Sequence, residues 1–363
     1  MRPEVIHVSL GNAQTIPIWF ASLTELPSYC ESVDLRIGPC ILITDTNLVP
    51  LYLDQVKTSL LDSGWGPTTE IIIPSGEASK SADVLQSIYD QTLQSGLDRQ
   101  TPIFALGGGV IGDLAGFAAA TLLRGLPLVH LPTSLIAQVD SSIGGKTGIN
   151  HRIGKNLIGA FYQPHLVLTD LDLLQSLPEL EWTSGLAEVV KHGFIADADF
   201  FTYLSSNWNA ILQRDNELVQ RMVIHAARIK ASIVSKDEKE SSLRAILNFG
   251  HTFAHSIERV AGYGQFTHGE AVALGMRAAT KVSSLIHPNL PHHLIDSFLL
   301  KLPVRNSIGD ISIDALIQAM YYDKKVMAGQ LRLILIRDIG DAYVHDQVSE
   351  DLIAQGWESI MQS

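Results

Sequence analysis

The feature that most restricts what this chain can become is the rhythm of its first half. Short apolar runs at residues 40–44, 70–73, 102–106, 126–131 and 166–169 each give way to turn-forming or polar residues, and helical stretches separate them. The runs are apolar at nearly every position rather than at every second one. Strands of that kind are buried on both faces, which calls for a mostly parallel sheet covered by helices above and below. Two further β-rich runs, residues 5–10 and 15–20, read as an opening hairpin. Ser79 is placed to cap the helix that follows the turn Pro74-Ser75-Gly76.

The second half has a different texture. From about residue 181 to 285 the pattern is nearly all helical, with breaks expected at Gly193, at residues 262–264 and near Pro288. A late β-like run at residues 331–336 follows a polar patch with Asp323, Lys324 and Lys325. The boundary is placed near residues 177–179, giving an α/β domain at 1–178 and a mainly helical domain at 179–363. A chain of 363 residues suits about two domains. Hydrophobic residues at 46% against 18% charged supply a sizeable core.

The formal net charge is −12. That argues against nucleic acid or an anionic membrane as partner, because both reward a basic face. The most apolar region, residues 106–143, is interrupted by Asp113, Arg124, Pro127, Pro132 and Asp140. No stretch reaches the roughly 20 apolar residues of a membrane span. Residues 1–10 lack the basic segment and apolar run of a signal peptide. The two cysteines, Cys30 and Cys40, are too few for a secreted disulfide scaffold and fit a reducing cytosol, where both read as packing residues.

In open parallel sheets, ligands bind beyond the carboxyl ends of the strands. The segment Phe104–Asp113, FALGGGVIGD, puts three glycines there, followed by a helix. Such a turn lets the backbone approach a pyrophosphate, and the helix N-terminus adds free N–H groups. The spacing is not G-x-G-x-x-G, and a tight strand-to-helix connection would look the same. Asp45 and Asn47 close an earlier strand, and Glu77 and Lys80 follow the next. Each is ordinary alone; together they line successive strand ends, as a dinucleotide would require.

Residues 140–156 read as a loop that combines glycines with Asp140, Lys146, Lys155 and Asn156. Converging ammonium and backbone donors suit a phosphate or carboxylate. The alternative is a solvated surface loop. Further on, residues 244–258 read as one helix. At about 100° per residue, Arg244, Asn248, His251, His255 and Glu258 fall within roughly 80° of arc, opposite Ile246, Phe253 and Ile257. A solvent face would favour Lys and Glu, whereas this stripe favours Asn and His, which suits ligation and proton transfer. Glu188, Lys191 and His192 share a helix face, and His268 opens another helix. Spacing leaves two ligand sets open for a metal ion: the i, i+4 pair His251 and His255, or Glu188, His251 and His268 with His255 free for acid–base work.

In segments 75–80, 107–113, 140–163, 185–193, 243–258, 268–276 and 323–325, the chain resembles the 3-dehydroquinate synthases over nearly its whole length. The resemblance implies a Rossmann-like NAD+-binding domain followed by a helical domain that binds one Zn2+ or Co2+. It implies Glu188, His251 and His268 as metal ligands. Asp45, Asn47, Glu77, Lys80, Gly108, Gly109, Val110, Asp113, Thr133, Ser134, Lys146 and Lys155 match cofactor positions. Lys146, Lys155, Asn156, Lys191, Lys230, Arg244, Asn248, His255 and Asp140 match catalytic and substrate positions, with Lys324 or Lys325 a further contact. Arg124 resembles an arginine that reaches the neighbouring site of a homodimer. Ala254 departs from a common Gly and puts no functional residue in doubt.

The implied substrate is 3-deoxy-D-arabino-heptulosonate 7-phosphate. C5 is oxidised, phosphate leaves by β-elimination, C5 is reduced again, the ring opens, and an aldol step closes the carbocycle. Two alternatives share many of these residues: a metal-dependent polyol or glycerol dehydrogenase, and another sugar phosphate cyclase. The Lys146–Asn156 cluster disfavours the first, and a histidine at 255 disfavours the second.

Overall fold

The computed structural model describes residues 4–11, 13–324, 331–346 and 348–361, with side chains excepted at 322–324. The chain forms two compact units, Met1–Leu177 with Lys230–Lys239, and Pro178–Ile229 with Glu240–Ser363.

In the first unit the elements are β1 (Glu4–Ser9), β2 (Thr15–Phe20), α1 (Leu26–Glu31), β3 (Cys40–Asp45), α2 (Asp54–Asp62), β4 (Thr68–Ile73) and α3 (Ala82–Gln94). They continue as β5 (Ile103–Gly107), α4 (Gly109–Thr121), β6 (Leu128–Pro132), β7 (Lys146–His151), β8 (Gly154–Phe161) and β9 (Leu166–Thr169). Seven strands form one sheet in the order β1-β2-β9-β6-β5-β3-β4. The opening hairpin pairs antiparallel and the other neighbours are parallel.

Residue parity along each strand explains the continuous apolar runs. Leu42, Phe104, Leu106, Val129 and Leu131 enter a core with Leu26, Cys30, Val56, Leu60 and Trp65. The alternate residues Ile41, Ile43, Ile103, Ala105 and Leu128 enter a second core with Leu85, Ile88, Leu114, Ala115 and Ala118. Helices α1 and α2 therefore cover one face, and α3 and α4 the other. The chain passes from β3 outward to β4 and then returns to β5 on the opposite side of β3. That reversal opens a crevice at the carboxyl ends of β3 and β5, where ligands of such sheets bind.

Two local expectations change here. Ser81, not Ser79, caps α3, its side chain accepting from the Val84 N–H. Residues 140–156 are not simply a loop, because β7 and β8 pair antiparallel within and beyond them. Glycine makes that pairing possible: a Cβ at Gly159 would lie 2.1 Å from the Thr147 carbonyl oxygen. A periodicity reading misses such a strand because its apolar residues are interleaved with glycine and lysine.

The second unit contains α5 (Glu179–Ala196), α6 (Ala198–Leu212), most of α7 (Asn216–Lys236), α8 (His251–Ala261), α9 (His268–Ile286), α10 (His292–Leu299), α11 (Ile313–Lys324), the antiparallel pair β10 (Arg332–Asp338) and β11 (Asp341–Asp346), and α12 (Glu350–Glu358). Every residue of α9 from Gly269 to Thr280 is buried, and α5, α8, α10 and α12 pack around it. Gly193 does not break a helix; it lies inside α5, where a Cβ would come within 3.2 Å of Phe201 on α6. The helix stops instead at Asp197, whose side chain caps α6. No helix among the described residues is long and apolar enough to cross a membrane.

Candidate metal centre and nucleotide site

Residues 244–258 do not form one helix. A tight helical turn covers Leu243–Asn248, Gly250 adopts a left-handed φ of +80°, and α8 starts afresh at His251. The break follows from packing, since a Cβ at Gly250 would lie 2.7 Å from the Met276 amide nitrogen of α9. The supposed stripe is thus two pieces. Arg244 is buried in the turn, and Asn248 donates to Glu240 at 2.5 Å. His255 is exposed on α8, its ring 5.6 Å from that of His251.

The helix start that matters most is at His251, because it faces two other elements. Glu188 on α5, His251 on α8 and His268 on α9 each offer one ligand atom, all within 4.8 Å of one another. Glu188 Oε1 lies 3.5 Å from His251 Nε2 and 3.2 Å from His268 Nε2. Ligands held about 2.0–2.1 Å from a tetrahedral zinc sit about 3.3 Å apart, so the two separations from Glu188 match those around such an ion. Three ligands leave a position for substrate, as catalytic sites require.

The start of α9 is fixed by Thr267 and Glu270, whose side chains cap each other's backbone. The Gly269 N–H donates to Ser184 Oγ at 2.9 Å, one turn before Glu188 on α5. A Cβ at Gly269 would lie 2.3 Å from Ser184 Cα, so only glycine permits this approach.

Charge in the cluster is arranged for ligation. Glu188 and Lys191 are both buried and ion-paired through Glu188 Oε2. Burial alone would raise the Glu188 pKa, but Lys191, His251 and His268 hold it well below the usual carboxylate range. Burial and Lys191 push His251 down to about 3, so its imidazole is neutral and able to bind metal. Burial opposes protonation of His268 too, but Glu188 and Glu258 outweigh it and raise the pKa to about 9. A cation held by His268 would therefore displace a proton from it.

In the first unit, Asp45 ends β3 and accepts from the Asn47 N–H at 2.8 Å. Gly108, Gly109 and Val110 form the turn into α4, and Thr133 and Ser134 follow β6. A Cβ at Gly108 would lie 3.2 Å from Ser134 Oγ, and one at Gly109 would lie 3.2 Å from Ser141 Oγ. The backbone is bare at the first turn of α4, where unpaired N–H groups can receive phosphate oxygens. Lys80, 5% exposed, donates from Nζ to Asp113 and to Asn156, each at 2.5 Å. Burial raises the Asp113 pKa against the pull of Lys80. Glu77 accepts from Asn150 at 2.7 Å.

Lys146 opens β7 and Lys155 lies on β8. Lys230 reaches Asp140 Oδ1 at 2.5 Å and the Asp140 carbonyl oxygen at 2.6 Å. Arg124 is exposed with φ +66°, beside Leu123 at φ +49°. Lys325 and the side chain of Lys324 lie outside the described residues. The sequence reading passed over Glu240, which sits in the charged run 237–240 and looks solvated. Its left-handed φ of +58° and its bond to Asn248 are visible only in three dimensions.

An open, mostly parallel sheet with a glycine turn at its crevice, carried in one chain with a Glu/His/His cluster built on a buried Glu188 in a helical unit, defines a class of nucleotide- and metal-dependent α/β enzymes. A solved structure of 2-epi-5-epi-valiolone synthase from Streptomyces hygroscopicus, with NAD+ and Zn2+ bound, shares the fold at TM-score 0.84 and 26% identity, covering 95% of this chain and 96% of that one. An iron-containing alcohol dehydrogenase matches in fold at TM-score 0.70 and 14% identity, covering 95% and 96%. Within that class, profiles described as 3-dehydroquinate synthase N-terminal and C-terminal match residues 70–184 and 185–326. The 3-dehydroquinate synthase of Salinibacter ruber is 48% identical over 99% of this chain and 98% of its own length. That of Pelobacter propionicus is 46% identical over 96% and 98%. The chain belongs to the 3-dehydroquinate synthase family.

Proposed function

We propose that the chain converts 3-deoxy-D-arabino-heptulosonate 7-phosphate to 3-dehydroquinate and inorganic phosphate, as in the shikimate route to aromatic amino acids. The observation that carries the mechanism is the convergence of Glu188, His251 and His268 on one point. Bound NAD+ would supply reversible hydride transfer, and a bound Zn2+ or Co2+ would polarise the substrate oxygen being oxidised.

The chain's own residues supply the rest. Glu188, His251 and His268 would hold the cation, and Lys191 keeps Glu188 ionised and oriented. The turn at Gly108, Gly109 and Val110 would receive the pyrophosphate. Asp45, Asn47, Glu77, Lys80, Asp113, Thr133 and Ser134 would surround the rest of the dinucleotide. Lys146, Lys155, Asn156, Lys230, Arg244 and Asn248 would bind the carboxylate and phosphate of the substrate, with Asp140 holding Lys230 in place. Arg and Lys donors are suited to both anions. His255, exposed on α8, would serve proton transfer near the phosphate.

The test is an assay with substrate, Zn2+ and NAD+ at a small fraction of the substrate concentration. One phosphate and one 3-dehydroquinate should appear per substrate, over many turnovers per NAD+. Accumulation of NADH in step with substrate loss would support a dehydrogenase and sink the proposal.

The protein is further proposed to act in the cytoplasm, which its free, buried Cys30 and Cys40 suit. It is proposed to act as a homodimer in which Arg124 reaches the neighbouring active site. The two adjacent left-handed residues Leu123 and Arg124 support this, because such backbone strain collects at functional positions. Mixing an inactive Glu188→Gln chain with an inactive Arg124→Ala chain should restore part of the activity. No recovery under conditions that exchange subunits would exclude a shared site.

A further inference from the structure

Glu258 belongs to the polar set of residues 244–258, yet the proposed reaction gives it no task. It lies two turns beyond His251 on α8 and is 3% exposed. A carboxylate so deeply buried is costly unless opposite charge or a donor faces it. Its Oε1 lies 3.9 Å from His268 Nδ1, while the other ring nitrogen of His268 faces Glu188 Oε1 at 3.2 Å. One imidazole is thus held between two carboxylates.

An imidazole that offers Nε2 to a cation must carry its proton on Nδ1. An acceptor at Nδ1 selects that tautomer and fixes the ring plane. His251 has the matching arrangement. Its Nδ1 lies 3.3 Å from the Phe249 carbonyl oxygen, and its Nε2 points to Glu188. Both histidines therefore present the same nitrogen, each backed by an oxygen acceptor.

We infer that Glu258 is a positioning residue for the cation site: its carboxylate accepts the Nδ1 proton of His268 and so aims Nε2 at the ion shared with Glu188 and His251. The inference rests on the reading of those three residues as metal ligands. A 3.9 Å separation is longer than a direct hydrogen bond, so the inference includes a shortening of this contact when the cation is bound.

The experiment measures Zn2+ affinity by competition with a chromophoric chelator, and the visible spectrum of the Co2+-loaded protein. Wild type is compared with Glu258→Met, which keeps the volume and loses the acceptor, and with Glu258→Gln, whose amide oxygen still accepts. The Met variant should bind Zn2+ about 10- to 100-fold more weakly, as loss of such outer partners typically does. Its cobalt bands should shift. The Gln variant should recover most of the affinity. If the Met variant fails to fold, Glu258→Asp decides, since drawing the carboxylate back by one carbon should weaken binding in a folded protein. Wild-type affinity and an unchanged cobalt spectrum in the folded Met variant, or in the Asp variant if that one decides, would overturn the inference. So would a Gln variant as weak as the Met one. Failure of wild type itself to bind zinc would instead remove the three-ligand reading.

Discussion

Replacing Glu188 by Gln is expected to abolish zinc retention and to lower turnover by about 1,000-fold or more, since a catalytic ion supplies several kcal/mol of charge stabilisation. The carboxylate is the only anionic member of the three-ligand group, and it is fully buried. Lys191 is also buried and loses its ionic partner in the variant. Breaking a buried pair from one side typically costs about 3–5 kcal/mol. The amide still accepts a hydrogen bond, so the neutral variant should fall short of that cost and remain folded for assay. Zinc per chain and phosphate release are the measurements. Full zinc content together with more than a tenth of wild-type turnover would contradict the assignment of Glu188.

The second large effect is expected at a residue with no side chain. Ala at position 269 would place its Cβ 2.3 Å from Ser184 Cα and 2.4 Å from the Ser184 carbonyl oxygen. Both are backbone atoms, so α5 and α9 have to separate. Overpacking of this kind costs about 1–3 kcal/mol and sometimes more. The same shift moves His268 away from Glu188, and a misplacement of about 1 Å in a catalytic group can cost about 100-fold in rate. Gly264 is the comparison: its φ is +91°, but nothing lies within 4 Å of a Cβ there. Gly264→Ala should lose only about 1–2 kcal/mol from the left-handed backbone and keep its zinc. Equal zinc affinity in Gly269→Ala and wild type would show that the α5–α9 contact does not set the ligand spacing.

The strands of the parallel sheet were legible in the sequence for a physical reason. Burial on both faces leaves no polar position in a run such as residues 103–106, and the alternating helices leave little choice of topology. The hairpin β7–β8 was not legible, because its pairing depends on Gly148 and Gly159 passing close to backbone rather than on an apolar face. The helix break at Gly250 was equally hidden. Periodicity runs straight through it, and only the approach of α9 requires the left-handed turn.

For the site, residue types were readable and convergence was not. Spacing left His251 with either His255 or the pair Glu188 and His268. The choice depends on how α5, α8 and α9 meet, which no local pattern encodes. Glu240 and Ser184 escaped notice for the same reason: each acts on a residue brought near by packing, through bonds to Asn248 and to the Gly269 amide.

The stretch Lys230–Lys239 is grouped with the sheet although it lies more than fifty positions beyond Leu177. Chimaeras between homologues would feel this directly. A hybrid joined once near residue 178 would take Asp140 from one parent and Lys230 from the other, splitting a contact 2.5 Å long. Recombination that respects the architecture must therefore exchange two separate blocks of sequence together, and a single crossover inherits mismatched halves of one structural piece.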